Sequence, residues 1–318
     1  MRVLVTGSAG FIGFHVCMAL LNEGHEVIGV DNYNSYYNPL IKEVRTSEIQ
    51  ERYPKFRQVH TDLSFEYGLE PLEREKIDAV IHLAAQAGVR YSFKNPSQYV
   101  RDNIVATQNL LDFCHRNHIT NLLYASSSSV YGDQLSPLVE TLPCSKPIHP
   151  YAASKRACEM LVQAACSYTH LRAIGMRFFT VYGPWGRPDM ALYRFADAMT
   201  KGCPVQLYNR GEHWRSFTYV SDVVDAILSL LDEVDHVKHT IFNIGNPRSV
   251  PLRHYVECLA ESLGMNYEVE ELPLQKGDVV SVEADISKIR RFMGWQPKVR
   301  VEDGVAMFAE WYQEYTNT

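Results

Sequence analysis

Thr6-Gly-Ser-Ala-Gly-Phe-Ile-Gly13 is the stretch that decides the fold, since it follows a β-branched run, Arg2–Thr6, and opens an amphipathic segment, Phe14–Asn22. Glycines at this spacing allow a tight turn, a close approach of the backbone to a pyrophosphate, and close packing of a helix on a strand. The N-terminus of that helix then faces the phosphates. Asp31 ends the next β-branched run about 20 residues on, where a carboxylate accepts hydrogen bonds from a ribose diol. These features predict a dinucleotide site, and we call residues 7–13 the glycine loop.

Asp31 also bears on which dinucleotide binds. A carboxylate at this position repels a 2′-phosphate, and the adjacent Asn32-Tyr-Asn34 contains no Arg or Lys that could bind one. The sequence therefore predicts NAD rather than NADP. Asp62, which follows a predicted strand at Phe56–His60, is expected to lie at the adenine end of the cofactor.

Short β-branched runs recur along the chain and alternate with helical patterns: Arg2–Thr6, Glu26–Asp31, Ala79–Leu83, Asn121–Ala125 and Ala173–Phe178. Such alternation is typical of βαβ units with right-handed crossovers, which build a parallel sheet. The run Ala79–Leu83 is almost continuously apolar, as expected for a strand that is covered on both faces. The sequence therefore predicts an α/β fold with a doubly wound, Rossmann-type parallel sheet.

The regular alternation ends near residue 180, where Gly183-Pro-Trp-Gly-Arg-Pro188 is rich in glycine and proline. Predicted strands resume at Val205–Tyr208 and Thr240–Ile244. A chain of 318 residues exceeds the size at which a single core usually stops growing, about 250–300 residues, so two lobes are expected. We predict a dinucleotide-binding domain at 1–179, to which 224–250 returns, and a smaller α/β substrate-binding lobe at 180–223 and 251–318.

Composition and charge favour a small-molecule partner. The formal net charge of −6 argues against an electrostatically driven nucleic-acid partner. No apolar stretch approaches the ~20 residues that a membrane-spanning helix needs. The seven cysteines show no CxxC pair, and neither they nor the histidines have the spacing of metal ligands. Met1–Val5 runs directly into a strand pattern without the features of a signal peptide. We therefore expect a cytoplasmic protein with reduced thiols, no bound metal and no membrane association.

The segment Tyr151-Ala-Ala-Ser-Lys155 places a phenol and an ammonium one helical turn apart, so both project from one face of a predicted helix, Tyr151–Tyr168. A neighbouring ammonium favours the phenolate form of a tyrosine. Ser126-Ser-Ser-Ser129 lies at the carboxyl end of a predicted central strand, the edge at which α/β sheets bind ligands. A phenolate base with a serine hydroxyl to relay the proton can deprotonate a sugar alcohol while hydride leaves the same carbon for the dinucleotide.

With these motifs the chain resembles the UDP-sugar epimerase/dehydratase family of extended short-chain dehydrogenases/reductases, over almost its whole length. The resemblance lies in the glycine loop, Ser126–Gly132, the Tyr151 and Lys155 pair, and the segment 177–190. The segment His82-Leu-Ala-Ala-Gln-Ala-Gly-Val-Arg90, together with 177–190, is most similar to the UDP-glucuronate 4-epimerase branch. The resemblance implies NAD-dependent conversion of UDP-glucuronate to UDP-galacturonate through a transient 4-keto intermediate.

The resemblance also implies roles for individual residues. The implied catalytic residues are Ser127, Tyr151 and Lys155. The implied NAD contacts come from Gly7, Gly10, Phe11, Ile12, Gly13, Asp31, Asn32, Asp62, Leu63, Ala84 and Lys155. Contacts to the UDP-sugar are implied for Arg90, Ser128, Ser129, Thr180, Arg187, Arg215 and Asp278, with Arg90, Thr180 and Arg187 facing the uronate carboxylate and the last two holding the diphosphate and ribose.

Other functions stay open beside this one. Family dehydratases carry an Asp-Glu pair, and UDP-glucuronate decarboxylases a glutamate, where this chain has Ser128 and Ser129. A UDP-glucose or UDP-N-acetylglucosamine 4-epimerase shares the same chemistry, and an NAD-sensing regulator without catalysis needs only the glycine loop. Two features depart from the family pattern: Ser216 stands where an aspartate usually follows the arginine, and the loop after Pro39 is short.

We further expect a homodimer, because two predicted helices carry apolar residues on more than one face. The first, Pro96–His115, includes Val105, Leu110, Leu111 and Phe113, and the second, Tyr151–Tyr168, includes Met160, Leu161 and Val162. A helix that is covered by its own sheet on one side and by a second copy on the other has this pattern.

Overall fold

The computed structural model describes residues 1–274 and 278–317. In that part of the chain the strands are β1 Arg2–Thr6, β2 Glu26–Asp31, β3 Arg57–His60, β4 Ala79–His82, β5 Asn121–Ser127, β6 Arg172–Phe178, β7 Thr180–Tyr182, β8 Val205–Tyr208, β9 Trp214–Arg215, β10 Phe217–Tyr219, β11 His239–Ile244, β12 Val250–Pro251, β13 Val269–Leu272 and β14 Ser281–Val282. The α-helices are α1 Phe11–Asn22, α2 Leu40–Arg52, α3 Val89–Lys94, α4 Pro96–Tyr99, α5 Ala106–Arg116, α6 Pro150–Tyr168, α7 Ala191–Thr200, α8 Val220–Glu233, α9 Leu252–Leu263, α10 Ser287–Met293 and α11 Val301–Asn317.

The main sheet has seven strands in the order β11-β6-β5-β4-β1-β2-β3. The pairs from β3 to β6 are parallel, with Val5 aligned to Gly29 on one side and to Ile81 on the other. The strand order reverses at β1, because β2 lies on one side of it and β4 on the other. Ligands of open α/β sheets bind at such a reversal, beyond the carboxyl ends of the strands. The predicted Rossmann-type parallel sheet is therefore confirmed, and it directs attention to the ends of β1, β4 and β5.

The core of this sheet is formed by strand residues with almost no exposed surface. Val3, Leu4 and Val5 of β1 are fully buried, as are Val80 and Ile81 of β4. Burial on both faces explains why these strands show continuous apolar runs instead of an alternating pattern. The rigid centre of the sheet thus supports the loops that follow β1, β4 and β5.

The chain divides into two compact units. The first comprises Met1–Asp133, Glu140–Phe178 and Val224–Phe242, and the second comprises Gln134–Val139, Phe179–Val223 and Asn243–Thr318. The segment that returns to the first unit thus ends at Phe242, whereas the sequence placed 224–250 there. In the second unit the short sheets β10-β7, β12-β9-β14 and β13-β8 accompany α7, α9, α10 and α11.

The second unit has a core rich in aromatic side chains. The rings of Phe217 and Tyr255 stack with centroids 3.9 Å apart, and Tyr182 meets both edge-on. Gly304 lies so close to this cluster that an added Cβ would be 2.2 Å from the Tyr182 hydroxyl oxygen. Burial of these aromatic rings removes a large apolar area from water and gives this unit a hydrophobic core of its own.

Several element bounds differ from the sequence-based ones in ways that matter for the site. The helix after the glycine loop begins at Phe11, not at Phe14, and β5 continues through Ser127 instead of ending at Ala125. The predicted single helix 96–115 is interrupted by a π-helical turn at Val100–Val105. No helix within the described ranges is both long and apolar enough to cross a membrane. In the same ranges, no three His, Cys, Asp or Glu side chains are grouped so that they could hold a metal ion.

Candidate functional site

The glycine loop forms a tight turn between β1 and α1. Gly7 adopts a φ of +73°, a conformation that is costly for residues with a Cβ. A Cβ there would lie 2.7 Å from the backbone nitrogen of Ala84, which belongs to the loop after β4. The amide of Gly7 donates to the carbonyl oxygen of Val30 at 2.7 Å, so the turn is fixed against β2. Only glycine fits this position.

The other two glycines shape the end of α1. A Cβ on Gly13 would lie 2.0 Å from the carbonyl oxygen of Gly7, and one on Gly10 would lie 2.9 Å from the same atom. Gly10 is the N-cap of α1 and has no side chain to cap the helix. The amides of Phe11 and Ile12, in the first turn, have no acceptor within the helix, so this end suits a phosphate. The geometry fits the pyrophosphate of a dinucleotide and supports the roles predicted for these residues.

Asp31 lies at the carboxyl end of β2 and is buried. Its Oδ1 accepts a hydrogen bond from the amide of Tyr33 at 2.8 Å. The ammonium of Lys42, a buried residue of α2, lies 3.5 Å from the same oxygen and donates to Asn34 Oδ1 at 3.2 Å. This cation comes from α2 and not from the residues adjacent to Asp31 along the chain, so the sequence did not reveal it. The absence of a basic residue from 32–34 therefore does not mean that the site lacks one.

Asn32, Asp62 and Leu63 form one edge of the same region. The side-chain amide of Asn32 donates to Asp62 Oδ2 at 2.9 Å, and the amide of Ser64 donates to Oδ1 at 2.8 Å. Partial burial raises the pKa of Asp62, but the hydrogen bonds from Ser64 and Asn32 outweigh that effect and hold the pKa below its usual value. The carbonyl oxygen of Leu63 accepts a hydrogen bond from Asn109 of α5. The predicted adenine-side residues are thus brought together beside β2.

The imidazole of His82 joins two strands and a helix. It is hydrogen-bonded to the hydroxyl of Thr6 at 2.7 Å and to that of Thr107 at 3.2 Å. Burial and then the charge of Lys155 lower the pKa of His82 to about 3, so the ring is neutral. The Thr6 hydroxyl also accepts a hydrogen bond from the amide of Ala84. These bonds hold the loop after β4, with Ala84, against the glycine loop.

The three predicted catalytic residues lie at the carboxyl end of β5 and on the first two turns of α6. The Nζ of Lys155 donates to the carbonyl oxygen of Ala125 at 3.0 Å, which ties the helix to the strand two residues before Ser127. Ser127 is largely buried, and its Oγ accepts a hydrogen bond from the amide of Ser129 at 3.2 Å. Tyr151 is half-buried and meets the ring of Tyr99 edge-on, with centroids 6.0 Å apart. The structure therefore brings the serine strand and the Tyr151-Lys155 helix into contact.

His149 caps the helix that carries Tyr151. Its Nδ1 accepts a hydrogen bond from the amide of Ala152 at 3.0 Å, and Pro150 occupies the first helical position. The acceptor role requires that Nδ1 carry no proton, so the tautomer has its hydrogen on Nε2. The imidazole also lies parallel to the Tyr151 ring, at 5° and with centroids 6.1 Å apart. Neither contact of His149 was predicted from the sequence, where the histidines show only a spacing unlike that of metal ligands.

Asn103 is a third residue of this region that the sequence did not reveal. It lies in the π-helical turn between α4 and α5 and is almost fully buried. Its side chain accepts from the amide of Gln86 at 2.7 Å and donates to Ser154 Oγ at 2.8 Å. It therefore connects the loop after β4 with α6, three residues after Tyr151. Such turns often occur at functional sites, but Asn103 follows Arg101 and Asp102 directly, so the sequence pattern did not single it out.

Three predicted substrate contacts belong to the first unit. Ser128 and Ser129 are half-buried in the short 3₁₀ turn that follows Ser127. Arg90 is exposed at the start of α3, in the segment after β4. All three lie beyond the carboxyl ends of strands, where a ligand of this sheet is expected.

Four other predicted contacts belong to the second unit, and Thr180 and Arg187 are close in sequence within it. Thr180 opens β7 and is half-buried. The guanidinium of Arg187 makes a bidentate ion pair with Asp189, with Nε–Oδ1 at 2.9 Å and a second nitrogen 2.6 Å from Oδ2. Two of its donors are therefore already directed at a carboxylate. Trp185, two residues before Arg187, has a φ of +59°. Its ring packs on α11, with its centroid 5.5 Å from that of Trp311.

Arg215 and Asp278 are the other two predicted substrate contacts in the second unit. Arg215, in β9, donates to the carbonyl oxygens of Trp214 and Val280 at 2.9 and 3.1 Å. Burial lowers the pKa of Arg215, and the negative charge of Asp278 partly opposes that shift. The next residue, Ser216, is buried, and its Oγ accepts a hydrogen bond from the amide of Ala284 at 3.0 Å. The unusual serine therefore has a structural contact inside the second unit.

Comparison with known proteins adds a family and close relatives. The model of the NAD dependent epimerase/dehydratase family matches residues 3–245. A probable UDP-glucuronate 4-epimerase of Rhizobium meliloti is 39% identical over 99% of this chain and 97% of its own length. The crystal structure of the Bacillus cereus UDP-glucuronic acid 4-epimerase with UDP-glucuronic acid and NAD superimposes with a TM-score of 0.90 at 32% identity, over 99% of this chain and 100% of that one. The UDP-glucose 4-epimerase of Thermotoga maritima with UDP-glucose also has a TM-score of 0.90, at 30% identity, over 99% of this chain and 100% of that one.

Proposed function

Because the chain belongs to the NAD-dependent epimerase/dehydratase family, we propose that it converts UDP-glucuronate to UDP-galacturonate by epimerisation at C4. The observation that carries this function is the hydrogen bond from Lys155 to the carbonyl oxygen of Ala125, because it holds α6, with Tyr151, beside β5, with Ser127. The cofactor is NAD, and the glycine loop has the close approaches that a pyrophosphate site requires. The enzyme is thus an isomerase that uses NAD without consuming it.

In this reaction Tyr151 is the general base that takes the proton of the C4 hydroxyl. Ser127 relays that proton, and the ammonium of Lys155 favours the phenolate form of the tyrosine. NAD held at the glycine loop would supply the acceptor for the C4 hydride and the donor that returns it to the opposite face of the sugar. The neutral imidazole of His82, bound to the hydroxyls of Thr6 and Thr107, holds the loop after β4 against the glycine loop without adding a competing acid.

The NAD contacts are assigned by where the residues lie. Backbone amides at the start of α1 hold the pyrophosphate, Asp31 and Asn32 hold the adenine ribose, and Asp62 with Leu63 lies at the adenine. Ala84 belongs to the loop after β4, which lies against the glycine loop. The residues proposed to contact NAD are Gly7, Gly10, Phe11, Ile12, Gly13, Asp31, Asn32, Asp62, Leu63, Ala84 and Lys155.

The substrate contacts are assigned by charge. Arg187 and Thr180 bind the C6 carboxylate, because a guanidinium fork and a hydroxyl both donate to carboxylate oxygens. Arg90 assists them, and Ser128 and Ser129 bind sugar hydroxyls. Arg215 and Asp278 hold the diphosphate and the ribose. The ion pair of Arg187 with Asp189 fixes the plane of the guanidinium fork before the substrate arrives.

Related reactions fit the chain less well. Elimination of water from a 4-keto sugar uses an added acid and base, and UDP-glucuronate decarboxylases carry a glutamate in this stretch, whereas Ser128 and Ser129 offer only hydroxyls. A regulator that senses NAD does not need Ser127, Tyr151 and Lys155 together. Epimerisation of UDP-glucose or UDP-N-acetylglucosamine uses the same base and cofactor, so it is the closest alternative, but neither substrate has a carboxylate for Arg187.

The experiment is incubation of the protein with UDP-glucuronate, UDP-glucose and UDP-N-acetylglucosamine separately, with resolution of the products. We expect UDP-galacturonate from the first, at a kcat/KM at least about tenfold above those of the other two, since a site built for a carboxylate discriminates strongly against its absence. Tyr151→Phe is the matched inactive control. Preferential turnover of a neutral sugar would overturn the substrate, and no transient reduced-nicotinamide absorbance with any of the three would overturn the reaction.

We also propose that the enzyme is a cytoplasmic homodimer. Several of the apolar residues on which the dimer prediction rested lie in the core of the first unit instead: Leu110, Leu111, Phe113 and Val162. Val105 and Met160 remain, with 39% and 58% of their surface exposed. Val100, which is 51% exposed, lies in the same π-helical turn as Val105, and this turn contacts α6. Burial raises the pKa of thiols such as Cys17 and Cys114, which keeps them inert in a reducing compartment.

A further inference from the structure

Glu159 is a buried carboxylate on α6, one helical turn after Lys155. Its Oε1 accepts hydrogen bonds from Ser126 Oγ at 2.6 Å and from Arg177 Nε at 2.8 Å. Its Oε2 accepts from a second Arg177 nitrogen at 2.9 Å and from Arg156 at 2.7 Å. One carboxylate thereby connects α6 to both β5 and β6.

Arg177 connects the same network to the loop after Ser127. This residue is buried in β6, and its guanidinium lies over the ring of Tyr131 with 4.7 Å between the Cζ atom and the ring centroid. Tyr131 ends the short turn Ser128–Tyr131, which begins directly after Ser127. Arg177 therefore contacts the turn that follows Ser127, while Glu159 contacts Ser126, the residue before Ser127.

These contacts surround the proposed proton-transfer residues without including them. Ser126 precedes Ser127, and its hydroxyl is bound to Glu159, while the preceding carbonyl, of Ala125, is bound to Lys155. Two consecutive residues of β5 are thus bound to two positions of α6 that are one turn apart. Because neighbouring side chains of a strand point to opposite faces, fixing Ser126 also fixes the direction of Ser127.

A buried ion pair of this kind is not needed for stability alone. Removing two charges from water costs free energy, and apolar residues of similar volume often replace such pairs with no loss of stability. A bidentate arginine-carboxylate pair instead fixes geometry, because the planar fork accepts the carboxylate in one orientation. What this network supplies beyond stability is therefore a fixed geometry between α6, β5 and β6.

We infer that Glu159 and Arg177 are positioning residues, which set the distance between Ser127 on β5 and Tyr151 on α6 for proton transfer during epimerisation. The inference rests on the proposed function, since it takes these two side chains as the groups that move the proton. Neither positioning residue contacts the sugar or NAD in this scheme. Their loss should therefore lower kcat and leave KM and NAD binding almost unchanged.

The test compares Glu159→Gln with the double variant Glu159→Met/Arg177→Met, which replaces the whole pair by apolar side chains of similar length and keeps a folded protein available if the single variant fails to fold. We expect kcat to fall about 10- to 100-fold, because a misplacement of about 1 Å costs this much, with KM within about threefold of the starting protein. Glu159→Asp, which keeps the charge, should recover part of the loss. The exposed pair of Glu73 with Arg116 supplies the control, Glu73→Gln, with unchanged kcat.

The pH profile of kcat separates positioning from a merely structural role. His149 and Tyr99, which contact Tyr151, are unchanged in these variants, so a shifted profile reports the altered relation of Tyr151 to Lys155 and Ser127. A folded double variant with kcat within about twofold of the starting protein and an unshifted profile would overturn the inference. If the starting protein turns over no UDP-sugar, the proposed function fails instead. Ultraviolet titration of the Tyr151 phenol then still tests the positioning, with Tyr151→Phe used to subtract the signal of the other tyrosines. Identical Tyr151 titrations in the starting protein and the double variant would overturn the inference.

Discussion

The ammonium of Lys42 lies 3.5 Å from the carboxylate of Asp31, and both side chains are buried. Asp31 is the residue proposed to bind the diol of the adenine ribose, so a cation stands beside the very acid that excludes a 2′-phosphate. The two charges attract each other while Asp31 is present. The preference for NAD therefore depends on one carboxylate, because the basic group that a phosphate needs is already in place.

Asp31→Ala is expected to convert this site into one that accepts NADP. With the carboxylate removed, Lys42 is left without its buried counter-charge and can bind a 2′-phosphate by a charge-assisted hydrogen bond. We expect NAD affinity to fall and the ratio of NADP to NAD affinity to rise at least about tenfold, which corresponds to about 1.4 kcal/mol. Isothermal titration with each cofactor measures both.

The matched control is Asp31→Ala combined with Lys42→Ala, in which the gain in NADP affinity should disappear. Lys42→Ala alone should weaken NAD only modestly. If the single and double variants bind NADP equally well, Lys42 does not contribute to cofactor choice.

Tyr151→Phe should lower kcat by about 10²-fold or more and leave NAD bound, because only the oxygen that accepts the proton is lost. The ring contacts with Tyr99 and His149 do not involve that oxygen, so the helix should keep its place. Turnover of UDP-glucuronate and the NAD content of the purified protein are the measurements. A variant with near-normal kcat would remove Tyr151 from the mechanism.

Arg187 is expected to protect the intermediate as well as to bind the substrate. Oxidation at C4 makes a ketone β to the C6 carboxylate, and such an acid loses carbon dioxide when the breaking bond stands perpendicular to the carbonyl plane. We propose that Arg187 and Thr180 hold the carboxylate away from that alignment. Arg187→Ala and Thr180→Ala should therefore raise the fraction of 4-ketopentose or UDP-pentose relative to UDP-galacturonate, measured by chromatography of the products.

Asp189→Asn provides a graded comparison for that experiment, because it removes the charge that orients Arg187 and keeps the guanidinium itself. We expect a smaller rise in decarboxylated product than with Arg187→Ala. If Arg187→Ala and Thr180→Ala lose epimerisation without more carbon dioxide per oxidation event, these residues serve binding alone.

His149 should contribute measurable stability as a helix cap. Loss of a capping acceptor typically costs about 1 kcal/mol, so His149→Ala should lower the free energy of unfolding by about that amount. His149→Ser supplies another acceptor for the amide of Ala152 and should restore most of it. Denaturant unfolding of the three proteins decides the matter, and equal losses in both variants would show that the imidazole acts by packing, not by capping.

Met160→Asp is expected to dissociate the proposed dimer. A charge in the middle of an apolar helix contact is costly to bury, and Met160 is the most exposed of the three apolar residues assigned to that contact. Light scattering at micromolar concentration should show half the mass of the starting protein. Leu135→Asp, at an 89% exposed position outside these helices, is the control and should leave the mass unchanged. A starting protein that is already monomeric would refute the dimer.

The features that the sequence predicted well are those in which local geometry restricts the choice of residue. Gly7 and Gly13 leave no room for a Cβ, so a glycine spacing carries information about the backbone itself. Tyr151 and Lys155 are one helical turn apart, and that relation needs only a helix to bring them to one face. The parallel sheet was predictable for a similar reason, since strands buried on both faces must be apolar throughout.

What the sequence did not reveal depends on contacts between distant segments. Lys42 meets Asp31 from a different helix, and Asn103 reaches Gln86 and Ser154 because a π turn redirects it. One signal was available and unused: Arg177 follows the apolar run 173–176 in the middle of the sheet, and a buried charge there requires a partner, which is Glu159.

The π-helical turn at Val100–Val105 makes the length of this segment as important as its composition. A π turn holds one more residue per turn than an α-helix, so removing a single residue there would allow one continuous α-helix. Each residue of an α-helix advances about 100° around the axis. Because a residue in a π turn advances less around the axis than one in an α turn, the shorter helix would cover almost the same rotation, and Tyr99 would keep its direction relative to Ala106–Arg116. The deletion should therefore leave the flanking helices in place and remove the contacts of Asn103 with Gln86 and Ser154, so that a change of one residue in length acts on the site through a single side chain.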